Sequence, residues 1–137
     1  MLSASAIAAK YKRADLNVRD TFLWSDVPND QKESIQRLIG LNVDEQCVIH
    51  YYKSEEYWWV ITNRRLIVFR ARHISYYAYD TIKRIVFPDA GKIATDKKGI
   101  DEIIIVLSDG GVKSLHVEAT AWHFIYELLR FLLPVNK

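Results

Sequence analysis

The chain has 137 residues, half of them apolar, about a quarter charged, with a net charge of +2. That composition lies in the ordinary globular range, and as one domain it would bury about two-thirds of its unfolded surface. A single cysteine, Cys47, excludes an internal disulfide, and no apolar run approaches the ~18 residues of a membrane-crossing helix.

Charge is unevenly spread: residues 1–62 hold seven Lys/Arg against nine Asp/Glu, residues 63–98 nine against three, and residues 99–137 three against five. The middle third is therefore the basic part. The opening Met-Leu-Ser-Ala-Ser-Ala-Ile-Ala-Ala has no basic leader before its apolar stretch. That pattern predicts no secretory signal, and with the lone cysteine it places the protein in the cytoplasm.

From Ser3 to about Tyr11, the spacing of Ile7, Ala8 and Tyr11 suits a short amphipathic helix, followed by a mixed segment to Phe22. A second helix is capped by Ser25 or Asp26, tolerates Pro28 and carries Asp30 in its first turn; Ile35, Leu38 and Ile39 form its apolar stripe, and Gly40 is its expected left-handed stop. After Asp44 the period becomes extended. Cys47, Ile49 and Tyr51 alternate with Val48, His50 and Tyr52, and Lys53-Ser54-Glu55-Glu56 turns the chain into a strand over 57–62. Both faces of that strand are apolar, so the N-terminal helices or another subunit should cover the outer one.

A short hinge at Thr62, Asn63, Arg64 and Arg65 leads into a strand over 66–71, and an aromatic extended segment runs from His73 to Tyr79. Residues 81–87 read as a further strand, and 89–101 as a mobile loop. Strands over 103–107 and 112–117 flank Ser108-Asp109-Gly110-Gly111, where Asp-Gly supplies the positive φ angles of a tight hairpin. A final helix over 119–133 puts Trp122, Ile125, Leu128, Leu129 and Leu132 on one broad face, with Phe124 and Phe131 beside it.

The strand, Thr62-Asn63-Arg64-Arg65-Leu66-Ile67, and the later Tyr79-Asp80-Thr81-Ile82-Lys83-Arg84-Ile85 together resemble the small bacterial pleckstrin-homology-like domains and the related GRAM domains. The resemblance runs from about Asp44 to Pro134. It implies an α+β fold: a strongly bent antiparallel β-barrel of about seven strands, capped by the C-terminal α-helix, with residues 1–43 as a helical N-terminal extension. It implies no chemistry, because this fold hosts lipid, peptide and self-binding alike.

The four histidines, His50, His73, His116 and His123, fit no compact metal-ligand spacing, and no serine sits in a Gly-x-Ser-x-Gly turn. Nor does a glycine loop lead into Gly-Lys-Ser/Thr. No cofactor and no small-molecule substrate is expected, and the chain reads as non-catalytic. Cys47 reads as a small buried hydrophobe rather than a reactive thiol.

Two binding readings follow. In the first, the chain associates with a protein partner or with itself through an outward face of Tyr57, Trp58, Val60, Tyr76 and Tyr77, since tyrosine and tryptophan dominate binding hot spots. In the second it docks on anionic lipid through Arg64, Arg65, Arg70, Arg72, Lys97 and Lys98. Against the second, those charges could instead pair with Asp80, Asp89 or nearby Glu residues on a solvated face. Lipid-binding pleckstrin-homology domains place basic residues around their first hairpin loop, whereas here that loop, Lys53-Ser54-Glu55-Glu56, is acidic on balance. Nucleic acid is the weakest candidate: the aromatics and arginines are present without an RNP-like motif.

Overall fold

The computed structural model describes residues 2–86 and 100–134. Helix α1 (Ala4–Ala14) starts at Ser3, whose hydroxyl accepts a hydrogen bond from the Ala6 amide at 3.2 Å. Strand β1 (Thr21–Leu23) and a 3-10 turn (Trp24–Asp26) precede helix α2 (Asn29–Leu38). Then come β2 (Cys47–Ser54), β3 (Tyr57–Thr62), β4 (Arg65–Arg70) and β5 (His73–Ala78), and after a 3-10 turn at Tyr79–Thr81, β6 (Ile82–Val86), β7 (Glu102–Leu107) and β8 (Val112–His116). A 3-10 turn (Ala119–Ala121) leads into the last helix, α3 (Trp122–Leu132).

The α+β class holds, but the described strands do not form one closed barrel. They make a five-stranded antiparallel sheet ordered β1-β2-β3-β4-β5 and a three-stranded one ordered β6-β7-β8. The ladder stops at Ala78 because the chain winds into the 3-10 turn that buries Tyr79, and pairing resumes at Ile82 with a new partner, Leu107. Two compact units result, Met1–Asp15 with Arg19–Ala78 and Leu16–Val18 with Tyr79–Lys137.

In the first unit, register puts His50, Val60, Ile67 and Tyr76 in one cross-strand row, and Tyr52, Trp58, Phe69 and Ile74 in the next. Helix α2 covers this face: Ile35 and Ile39 pack with Cys47, Trp58, Val60 and Ile67, and Trp24 and Leu41 close the margin. The opposite face is buried too, with Trp59, Ile61 and Leu66 all fully inaccessible. The apolar character of both faces of β3 is thus explained on one side by α2 of the same chain. A register shift between Cys47 and Ile49 moves Cys47 onto the α2 face, away from the row of Ile49 and Tyr51 that simple alternation assigned it. The mixed segment after α1 supplies an edge strand, whose Thr21 carbonyl accepts the Tyr11 hydroxyl at 2.9 Å.

Helix α2 starts later than expected, because Trp24–Asp26 is a separate 3-10 turn and Pro28 takes the N-cap position. It ends without a left-handed residue. Ile39 is extended, at φ −108°, and its amide still reaches the Ile35 carbonyl at 3.1 Å; Gly40 does not adopt positive φ.

In the second unit α3 packs on β6 and β7. All five residues of its anticipated apolar face are buried, Phe124 is half-buried, and Phe131 is 58% exposed. Gly110 (φ 95°) turns the β7–β8 hairpin, with the Leu107 amide donating to the Gly111 carbonyl at 2.8 Å. Most of the expected loop over 89–101 lies outside the described residues, as do Lys97 and Lys98.

Candidate binding site

The Thr62–Arg65 hinge is an internal clamp. Its centre is Glu45, 5% exposed, at the end of the segment between α2 and β2. One carboxylate oxygen accepts from the Thr62 hydroxyl at 2.6 Å and from Arg65 Nε at 2.8 Å; the other accepts from the amide and side chain of Asn42 at 3.1 and 3.3 Å. Thr62 Oγ1 in turn accepts the Arg64 and Arg65 amides, each at 3.0 Å. Asn63 bridges the same two segments, accepting from the Gln46 amide at 2.8 Å and donating to the Asp44 carbonyl at 3.2 Å. Arg65 also donates to the Gly40 carbonyl, and Arg64 pairs with Asp44. Burial raises the Glu45 pKa, but the hydrogen bonds from Arg65, Thr62 and the Asn42 backbone outweigh it and leave the carboxyl below its usual range.

This accounts for two of the six basic candidates. Arg64 and Arg65 have carboxylate partners in their own chain, and those partners are Asp44 and Glu45, which the sequence did not single out. Arg65 also lies over the Tyr76 ring at 4.6 Å, and Arg70 over Tyr57 at 5.1 Å. Arg70, Ala71 and Arg72 are exposed at the β4–β5 turn. There, two consecutive non-glycine residues take positive φ, 49° at Ala71 and 70° at Arg72, between the paired Arg70 and His73.

The five aromatic and aliphatic candidates do not form one outward patch. Trp58 (5% exposed) and Val60 (0%) lie under α2, because the helix takes the sheet face they point from. Tyr76 shares that face and is 44% exposed, whereas Tyr57 and Tyr77 are half-buried on the opposite one, opposite Arg70 and Leu66 in the register.

What remains open beside α2 is a groove of about 480 Å³. Pro28, Asp30, Gln31, Ser34, Ile35 and Leu38 of the helical segment form one wall, and Tyr52, Glu55, Trp58 and Phe69 of the sheet form the other. Trp58 and Phe69 stack with centroids 5.0 Å apart and planes 4° from parallel. Leu38 is 52% exposed: Ile35 and Ile39 take the buried line of the helix and leave Leu38 on its flank. Of the groove residues only Trp58 was a sequence candidate. The signal for the rest was available in the i, i+3 and i+4 spacing of Gln31, Ser34, Ile35 and Leu38, but it requires knowing which sheet face α2 covers.

Behind this wall His50 is fully buried. Both ring nitrogens lack a hydrogen-bond partner, and the rings of Trp58, Tyr52 and Trp24 lie at 5.9, 6.1 and 6.2 Å. Burial pushes its pKa down to about 4, and burial pushes the Cys47 thiol up to about 12, with Glu45 adding to the rise.

A second groove, of about 540 Å³, lies in the other unit between β6 and α3. Lys83, Arg84, Ile85, Tyr126, Arg130, Phe131, Leu133 and Pro134 line it. Among the described residues, no three His, Cys, Asp or Glu side chains gather so as to hold a metal ion, and no helix is long and apolar enough to cross a membrane.

The backbone resembles the crystal structure of a DUF1696 family protein with a pleckstrin-homology domain from Shewanella loihica, with a TM-score of 0.56 over 84% of this chain and 98% of that one, at 18% sequence identity. The chain has a pleckstrin-homology-like fold. No family model and no curated protein matches the sequence. Within the pleckstrin-homology-like frame the Thr-Asn-Arg-Arg motif is a structural clamp here, and the open surfaces among the described residues include the two helix-flanked grooves and the β4–β5 turn.

Proposed function

We propose that the chain is a non-catalytic binding module that works by associating with protein through the groove between α2 and the sheet. One observation carries this reading: an aromatic wall continuous with the core is left open beside an exposed leucine on a helix. Aromatic anchors in a shaped apolar groove concentrate binding energy because they bury large areas with few rotors to freeze. The pleckstrin-homology-like fold supports a binding module in general and favours no particular partner.

Leu38→Gln tests it, since the side chain lies on the helix flank and its loss spares the core. The variant should keep its fold by circular dichroism and lose association. Where the partner is a second copy, light scattering of the parent chain exceeds 16.0 kDa and the variant returns to it. Association undiminished by Leu38→Gln would overturn the groove.

Docking on anionic lipid is the second reading, favoured by the exposed Arg70 and Arg72 at a single turn. It predicts vesicle binding that falls steeply with salt and with Arg70→Ala plus Arg72→Ala; sedimentation indifferent to lipid charge would dismiss it.

A further inference from the structure

The α2 groove carries information about the chemistry of what fills it. Two carboxylates, Asp30 and Glu55, stand on opposite walls, and among the described residues no Lys or Arg lines the groove. Glu56 follows Glu55 in the same exposed turn, and the exposed Lys53 precedes them at the end of β2. Lys32 of α2 lies over the Trp24 ring, 6.0 Å from its centroid. Asp30 is held in place: its Oδ1 accepts the Gln31 amide at 2.9 Å, and its backbone carbonyl accepts the Ser34 hydroxyl at 3.1 Å. The lining also holds the half-buried Tyr52 and Phe69, whose areas attract methylene stems, and Trp58, 5% exposed and stacked on Phe69.

We infer that the groove takes a cationic segment of a partner protein, one that sets Lys or Arg beside a large apolar side chain. The long stem of such a residue lies along the aromatic wall, its charged head reaches Asp30 or Glu55, and the neighbouring apolar side chain covers Leu38. This rests on the groove being the association surface. An acidic segment would meet the two like charges of Asp30 and Glu55 in the same space, which supplies the discrimination.

The test uses the full chain and three short synthetic peptides in which Leu alternates with Lys, Gln or Glu. Binding is followed by calorimetry at low and high salt. The Lys peptide should bind, the Gln peptide should bind about tenfold more weakly, and the Glu peptide should show no binding. Asp30→Asn, which keeps an acceptor for the Gln31 amide, and Glu55→Gln should each weaken the Lys peptide about threefold to fivefold, and added salt should do the same.

Equal affinity for the Lys and Gln peptides, or indifference to both substitutions, would overturn the charge chemistry and leave the groove standing. Loss of the Lys peptide on raising protein concentration would give the groove to a second copy and likewise overturn the partner assigned here. No binding of any of the three peptides, with Leu38→Gln also without effect on association, would remove the groove itself.

Discussion

The two helix-flanked grooves are built on opposite principles. Helix α3 buries five side chains along its length, Trp122, Ile125, Leu128, Leu129 and Leu132. Helix α2 buries only Ile35 along its length, with Ile39 just past its end, and the segment that follows is fastened by the Glu45–Thr62–Arg65 clamp. Apolar burial is indifferent to pH and tolerant of small shifts, whereas a buried ion pair fails when either partner is lost. The α2 groove should therefore be the conditional surface and the α3 groove the permanent one.

The sharpest break is Glu45→Ala. It leaves the Arg65 guanidinium without its carboxylate in a half-buried site and should cost about 4 kcal/mol, with hydrogen exchange rising first in α2 and β2. Exchange that rises equally in α3 would erase the contrast. On the other side, Leu129→Ala empties a fully buried site and should cost about 3 kcal/mol, read from the denaturant midpoint, with exchange rising in α3 before α2.

Acid sharpens the comparison without mutation. His50 stays neutral in the folded chain down to about pH 4, while in the unfolded chain it takes up a proton below its ordinary 6.5. The His50 contribution to stability is then constant above pH 6.5 and falls by about 3 kcal/mol on going down to pH 4, at about 1.4 kcal/mol per unit. Glu45 works in the same direction further down: its contribution is present above the ordinary carboxyl value of 4.5 and is lost as pH falls through the depressed folded pKa. Urea midpoints measured across this range should show the slope, and His50→Leu should flatten the part above pH 4. A parent chain equally stable at pH 7 and pH 4.5 would contradict the burial of an unpartnered imidazole.

The smallest expected effect concerns the β4–β5 turn. Ala71 and Arg72 both hold the left-handed conformation that a two-residue hairpin requires and that Asn-Gly adopts at lower cost. Ala71→Asn with Arg72→Gly should raise stability by about 1 kcal/mol and leave peptide binding at the α2 groove unchanged. Calorimetry of both quantities checks it.

Much of the fold was legible because side-chain periodicity is a local property. The β3–β4 and β7–β8 hairpins and the five buried residues of α3 followed from spacing, as did the need to cover both faces of β3. What escaped depended on partners distant in sequence. Strand β1 is three residues long and exists because β2 pairs with it. Gly40 looked like a left-handed stop, yet its carbonyl serves Arg65, twenty-five residues on. Arg64 and Arg65 looked like an anion site for the same reason: a run of cations carries no mark of whether carboxylates twenty residues earlier will neutralise it.

By itself the sequence determined the strands β2 to β8 and the apolar faces of the helices, since side-chain periodicity depends on neighbours within a few positions. Only the tertiary structure decided that the strands divide into two sheets, that α2 lies over Trp58 and Val60, and that the arginines of the hinge are already paired. Those outcomes depend on which surfaces meet across long stretches of chain, and the pattern of a single strand or helix contains no record of its partner.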